Sequence, residues 1–281
     1  MSAWRTDPDH RVRTVSPDVP ILMYHSIHEA PNRSIQGLSV HPKTFAEQLK
    51  YLRSEGFIGL TFGELCKRRR DGMPLPERPV VLTFDDGYAD FVEKAVPLMV
   101  EHGFPATVFV TTGWLDDAGP HAAGSAPDRM MSWAQLAELP AAGVEIGAHS
   151  HGHPELDQIG VSRLRAELFD PKHLLEDRLG HPVPSLAYPY GYSSKRVRDI
   201  SREAGYEQAA AVANANATAT SDSFQVPRLT VKRSTSPAAF ARIAHQRQTR
   251  LQYAPAHALT VGWAVVRRTR LAVRMLRPCR C

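Results

Sequence analysis

The chain has 281 residues, of which 43% are hydrophobic and 22% charged. This length and this hydrophobic content are enough to bury one large core. The first eighteen residues lack the apolar core of a signal peptide, and no stretch reaches about eighteen uninterrupted apolar residues, so neither a usual export signal nor a membrane span is supported. The three cysteines match no metal-binding or prenylation pattern. We therefore expect a cytoplasmic protein, either free or peripheral at the inner face of the membrane.

The net charge of +5 is distributed unevenly along the chain. From Ser223 onward there are 12 Lys and Arg and no Asp or Glu, so the part before it carries a net charge of −7. We predict a flexible N-terminal segment at 1–18, a catalytic domain at 19–250 and a basic amphipathic tail at 251–281.

Apolar runs alternate with helix-like segments along the catalytic part of the chain. In chain order the predicted strands are Ile21–Tyr24, Val80–Phe84, Thr107–Val110, Val144–Ala148, Leu186–Tyr188 and Gln208–Val212. The predicted helices are Phe45–Glu55, Tyr88–His102, Trp133–Ala142 and Ser162–Leu179. Such alternation predicts an α/β protein with a parallel sheet. Because polar residues follow the ends of several different strands, an incomplete (β/α) barrel explains the pattern better than an open sheet with one switch point.

The segment VVLTFDDGY at 80–88 carries the strongest chemical signal. Its apolar run is typical of a strand buried on both faces, and it ends in two adjacent carboxylates, Asp85 and Asp86. These carboxylates would repel each other unless a cation or a proton lay between them. The pattern therefore favours a functional strand end over an ordinary Asp-Gly turn.

A second cluster, VEIGAHSHGHP at 144–154, repeats this design with His149, His151 and His153 after an apolar strand. Two imidazoles and one aspartate leave an open coordination position on a divalent ion, as in catalytic rather than structural zinc sites. Such an ion activates water for hydrolysis, and a neighbouring carboxylate can take the proton.

Three motifs together resemble a known family. TFDDG at 83–87, HSHGHP at 149–154 and YPYG at 188–191 are similar in order and spacing to the motifs of the polysaccharide deacetylases, carbohydrate esterase family four. The resemblance implies a distorted or incomplete barrel of seven to eight strands. It implies Asp85 as general base and the backbone N–H of Tyr190 as oxyanion donor. The implied ligands of one divalent metal ion, Zn²⁺ first and otherwise Co²⁺, Ni²⁺ or Fe²⁺, are Asp86, His149 and His153.

The sequence departs twice from the usual family pattern. No clean leucine-x-histidine motif, which carries the acid histidine in most members, follows Tyr190, and this departure helps locate the branch. VPILMYHSI at 19–27 resembles the start of the permuted subgroup that deacetylates poly-N-acetylglucosamine, which implies His25 as the catalytic acid. The alternatives are that His25 is a core histidine and that His245 supplies the acid. The arginine common before the third motif is absent, and Arg228 in VPRLTV is the candidate to orient Asp85.

The three tyrosines of the third motif, Tyr188, Tyr190 and Tyr192, are candidates for a sugar-binding wall or for simple packing. We expect hydrolysis of the acetamide of an N-acetylated polysaccharide, oligosaccharide or glycolipid, with acetate and a free amino sugar as products. The alternatives are an inactive carbohydrate-binding module on the same fold and a membrane-surface adaptor that acts through the tail.

The tail is predicted to form a helix with one basic stripe and an apolar remainder. The stripe consists of Arg267, Arg270, Arg274 and Arg277. Such a helix is typical of contact with an anionic membrane surface, although it can equally cap the barrel by its apolar face. No recognised nucleic-acid-binding motif accompanies the charge, so nucleic acid is not an expected partner. The sequence makes no prediction of oligomeric state.

Overall fold

The structure is a computed structural model that describes residues 17–247 together with Thr249, Tyr253 and Ala254. The predicted N-terminal segment therefore lies outside the described residues up to residue 16. The predicted basic tail lies outside them as well, except for Tyr253 and Ala254.

The described residues form eleven strands and seven α-helices, which alternate from β3 to β9. The strands are β1 (Ile21–Tyr24), β2 (Ser26–Ile27), β3 (Ser39–Val40), β4 (Ile58–Leu60), β5 (Pro79–Phe84), β6 (Ala106–Val110), β7 (Val144–Ala148), β8 (Ser185–Ala187), β9 (Gln208–Ala211), β10 (Val226–Pro227) and β11 (Leu229–Thr230). The α-helices are α1 (Pro42–Ser54), α2 (Phe62–Arg70), α3 (Val96–His102), α4 (Trp133–Glu138), α5 (Val161–Leu179), α6 (Lys195–Glu203) and α7 (Pro237–Ala244).

Nine of the strands form one parallel sheet that closes almost completely on itself. The strand order is β10-β9-β8-β7-β6-β5-β1-β11, and β4 pairs with the first half of β5. One residue, Arg228, separates β10 from β11. Because Val226 pairs with Ala210 of β9 and Leu229 pairs with Leu22 of β1, this single segment joins the two ends of the sheet. The fold is a nearly closed (β/α) barrel of eight strands when β10 and β11 are counted as one, and the prediction of its class is confirmed.

The central strands are buried on both faces, as their continuous apolar runs predict. Every residue of β1 and β5 is buried. Outside the barrel, α1 begins after His41, whose side chain caps the helix, and Pro42 occupies its first turn. Phe45, Leu49 and Leu52 recur at helical spacing and pack into the core. Burial of each such side chain stabilises the fold by about 1.5–3 kcal/mol relative to exposure.

Two predicted helices differ in detail from the observed ones. The predicted helix Tyr88–His102 is a π-helical turn at Phe91–Ala95 that continues into α3, and the predicted helix Trp133–Ala142 is α4 followed by a 3-10 turn. Pro140 falls in that 3-10 turn; it has no N–H to donate to the carbonyl of Leu136, so the regular α-helix cannot continue through it.

None of the helices in the described part of the chain is both long and apolar enough to cross a membrane.

Candidate active site

The two aspartates lie in a tight turn directly after β5. The N–H of Asp85 still donates to the carbonyl of Tyr24 at 3.1 Å, so Asp85 remains tied to β1. Asp86 has a φ of 76° and Gly87 a φ of 95°, both in the left-handed region. A side chain on Gly87 would also place its Cβ 3.3 Å from Val110, which explains the glycine after the two carboxylates.

Asp86, His149 and His153 converge on one point at the carboxyl ends of β5 and β7. Their candidate ligand atoms all lie within 4.8 Å of one another. Oδ1 of Asp86 is 3.4 Å from Nε2 of His149 and 3.3 Å from Nε2 of His153. Nδ1 of His149 lies 2.8 Å from the carbonyl of Ala187, and because a carbonyl only accepts, Nδ1 carries the proton and Nε2 keeps its lone pair.

These three residues fit a divalent cation. Oδ1 of Asp86 is buried and has no hydrogen-bond partner within the described residues. A buried carboxylate oxygen without a donor costs free energy, and a cation bound between Asp86 and the two imidazoles would remove that cost. Two nitrogen donors and one oxygen donor suit Zn²⁺, with Co²⁺, Ni²⁺ and Fe²⁺ compatible.

His151, the third histidine of the cluster, lies outside the candidate ligand set. Its Nδ1 is 2.9 Å from Oγ1 of Thr112, and its carbonyl accepts from the N–H of Gly113 at 2.8 Å. His151 therefore links the histidine loop to the segment that follows β6.

The side chain of Asp85 is held by Arg228, the residue that lies between β10 and β11. Nη1 of Arg228 donates to Oδ1 at 2.6 Å and Nη2 donates to Oδ2 at 2.8 Å, a bidentate pair. Burial alone would raise the pKa of Asp85, but the Arg228 guanidinium holds that pKa below its usual value. Asp85 is thus an ionised acceptor at neutral pH, fixed in orientation by a fully buried arginine.

His25 follows β1 and lies close to both aspartates. Its Nδ1 is buried and has no hydrogen-bond partner in the described part of the chain. Burial lowers the pKa of His25, and the neighbouring Asp86 and Asp85 oppose that effect. The alternative acid, His245, lies instead beside Glu55 at the end of α1, with 3.3 Å between Nε2 and the carboxylate.

The tyrosines of the third motif occupy different environments. Tyr190 has a φ of 60° and is 52% exposed, with its ring 4.8 Å from that of His153 and 5.9 Å from that of Tyr192. Tyr188 is fully buried in the hydrophobic core. The predicted contact of Tyr188 with substrate is therefore wrong, because its ring has no surface to offer a sugar. The role of the Tyr190 N–H stays a prediction.

Sequence reasoning missed two residues beside the ligands. Trp114 packs its ring against that of His153, with 4.7 Å between ring centroids. Glu167, on α5, accepts hydrogen bonds from the histidine loop. The position of Trp114 shortly after β6 could have identified it, since the other site residues also follow the ends of strands. The sequence around Glu167 gave no such indication, because Glu167 lies inside a helix.

Residues 72–209 match the family model described as Polysaccharide deacetylase. The chain is 27% identical over 207 residues to YxkH of Bacillus subtilis, a relative named for the same family, and the match covers 73% of this chain and 66% of YxkH. It is 24% identical over 245 residues to a poly-beta-1,6-N-acetyl-D-glucosamine N-deacetylase of Staphylococcus aureus, covering 80% of this chain and 82% of that protein.

Among solved structures, the fold is similar to the Streptococcus pyogenes deacetylase PplD in complex with acetate. The TM-score is 0.73 at 25% sequence identity, and the likeness covers 82% of this chain and 99% of PplD.

Proposed function

We propose that this chain, which belongs to the polysaccharide deacetylase family, hydrolyses the acetamide of an N-acetylated sugar and releases acetate and a free amino sugar. The observation that carries the proposal is the side-by-side arrangement of two kinds of group. One is the Asp86, His149 and His153 cluster, and the other is Asp85, a carboxylate locked by Arg228. An ionised acceptor next to a cation site is what the attack of water on an amide requires.

The candidate metal ligands are Asp86, His149 and His153. A divalent metal bound there would supply Lewis acidity, polarising the amide carbonyl and lowering the pKa of water.

Asp85 and His25 each carry out one of the two proton transfers, and a backbone N–H stabilises the intermediate. Asp85 accepts the proton of the attacking water, and Arg228 keeps its carboxylate aimed and ionised. The N–H of Tyr190 donates to the developing oxyanion. His25 protonates the departing nitrogen through its imidazolium, which the lowered pKa of His25 makes the minor form at neutral pH. Protonation is needed because an unprotonated amide nitrogen leaves as a prohibitively poor anion. The exposed ring of Tyr190, near that of Tyr192, is suited to contact the sugar face.

We propose N-acetylglucosamine residues in an oligomer or polymer as the substrate class, supported by the activity for which the Staphylococcus aureus relative is named. A lipid-linked N-acetylated sugar is the second candidate, because the predicted basic tail would hold the enzyme at an anionic membrane. An inactive carbohydrate-binding module is disfavoured, because it would have no need for the paired Asp85 and Arg228 beside the ligand cluster.

The test is acetate release from a panel of substrates: β-1,6-linked and β-1,4-linked N-acetylglucosamine oligomers and an N-acetylated glycolipid. Protein stripped with EDTA should be inactive, and Zn²⁺ or Co²⁺ should restore release. Release that is unaffected by EDTA, or binding of every oligomer without acetate release by the metal-loaded protein, would contradict the proposal.

A further inference from the structure

A buried carboxylate that belongs to none of the sequence motifs lies against the histidine loop, residues 149–153. Glu167 of α5 is only 6% exposed. Its Oε2 accepts from the backbone N–H of His151 at 3.1 Å and from that of Gly152 at 2.7 Å. These two residues lie between the candidate ligands His149 and His153, so Glu167 contacts the part of the loop that separates the two imidazoles.

The backbone of the histidine loop is unfavourable in isolation. Ser150 has a φ of 64° and His153 a φ of 59°, and neither is a glycine. Such backbone conformations persist where contacts with surrounding residues hold them in place. The consecutive N–H groups of His151 and Gly152 point to one side and need an acceptor, which Glu167 supplies.

The close approach of Glu167 also explains the glycine in the loop. A Cβ on residue 152 would lie 3.3 Å from Oε1 of Glu167, tighter than most carbon–oxygen contacts of this kind. Gly152 therefore allows the carboxylate to reach both N–H groups.

Among the residues that the structure describes, little else near Glu167 compensates its charge. Nε of Arg163 is 3.7 Å from Oε1, but the Arg163 side chain is 65% exposed. Because the Arg163 side chain lies largely in water, its attraction for the Glu167 carboxylate is screened and contributes little. The two loop N–H groups are thus the main partners that offset the cost of burying this carboxylate.

We propose that Glu167 is a positioning residue of the candidate metal centre: it holds the histidine loop so that Nε2 of His149 and of His153 face Asp86 before a cation binds. The inference rests on the proposed function only in that it takes Asp86, His149 and His153 as metal ligands. Outer partners that orient ligands in this way typically change metal affinity by about 10- to 100-fold when removed.

The test compares Zn²⁺ affinity, measured by competition with a chelator, and the visible absorption of the Co²⁺-loaded protein. Glu167→Ala should weaken Zn²⁺ binding by about 10- to 100-fold and alter the Co²⁺ spectrum. Glu167→Gln should stay close to wild type, because its amide oxygen can accept from both N–H groups. Glu167→Asp, which draws the carboxylate back by one methylene, should weaken Zn²⁺ binding.

The matched control is Glu176→Ala on the same helix. Glu176 also accepts a loop N–H, that of Val183 at 2.9 Å, and an ammonium proton of Lys172. Its replacement should lower stability without changing Zn²⁺ affinity or the Co²⁺ spectrum. Wild-type affinity and spectrum in Glu167→Ala, or in Glu167→Asp if the alanine variant does not fold, would overturn the proposal.

The outcomes separate this inference from the proposed function. Wild-type protein that binds Zn²⁺ but releases no acetate would refute the function and leave the role of Glu167 standing. Protein that releases acetate while Glu167→Ala keeps its Zn²⁺ affinity would refute only the role of Glu167. Failure of the wild type to bind Zn²⁺ or Co²⁺ would overturn both.

Discussion

Replacing Arg228 with methionine should destabilise the fold more than any surface charge change. Arg228 and Asp85 are both buried and share two hydrogen bonds of 2.6 and 2.8 Å. Removing one partner of such a pair leaves a buried charge uncompensated and costs about 3–5 kcal/mol. Methionine retains much of the side-chain volume against Phe109, whose ring centroid lies 5.4 Å from the guanidinium carbon, so the cavity contribution is small. We therefore expect a loss of about 3–5 kcal/mol, from a total of about 5–15 kcal/mol for a typical domain.

The assay is urea unfolding at pH 7, followed by circular dichroism. EDTA should be present throughout, since a metal bound only to the folded state would add to the apparent free energy of unfolding. A double-mutant cycle with Asp85→Asn isolates the pair, and in that background Arg228→Met should cost about 0.5–3 kcal/mol less.

The control is Arg129→Met, which removes an exposed ion pair with Glu93 and should cost less than about 1 kcal/mol. Equal shifts for Arg228→Met and Arg129→Met at an unchanged m-value would refute the argument that the buried pair is coupled.

Three further predictions concern the ligands, the acid and the tail. Asp86→Ala, His149→Ala and His153→Ala should each lose stoichiometric Zn²⁺ by elemental analysis while keeping the wild-type circular dichroism; metal retained in all three would contradict the ligand assignment. His25→Ala should keep the metal and lower kcat by about 10² to 10⁴, whereas wild-type turnover in this variant would mean that another residue is the catalytic acid. Removal of Ala258–Cys281 should abolish salt-sensitive binding to acidic liposomes and leave hydrolysis of a small substrate intact; full-length protein that ignores such liposomes would remove the support for a membrane role.

The barrel was predictable from sequence because its central strands are buried on both faces. β1 and β7 have the predicted bounds, and β5, β6, β8 and β9 agree within one residue at each end. The short strands β2, β3, β4, β10 and β11 were not predicted, since two or three residues are too few to show periodicity. Closure of the barrel by the segment around Arg228 depends on pairing with the preceding strand β9 and with β1, which lies at the other end of the described chain, and only the structure supplies the pairing with β1.

The site was partly predictable for a similar reason. Asp85, Asp86, His149 and His153 come from two contiguous motifs. Each motif follows a strand, and β5 and β7 both pair in parallel with β6, so the two motifs meet at the same edge of the sheet. Tyr188 was assigned to substrate because it belongs to the third motif, yet it follows β8 with its ring in the core. Glu167 was missed because it acts through backbone N–H groups of another segment, which leaves no pattern in its own sequence.

The most direct measurement counts both products of one reaction. Zinc-loaded wild-type protein and zinc-loaded Asp85→Asn are incubated with an N-acetylglucosamine oligomer, and acetate and new primary amines are quantified together. Hydrolysis of the acetamide predicts equal amounts of acetate and amine from the wild type, and neither product from Asp85→Asn despite a full complement of zinc. Equal product formation by the two proteins, or sugar fragments without acetate, would contradict a deacetylase in which Asp85 is the base.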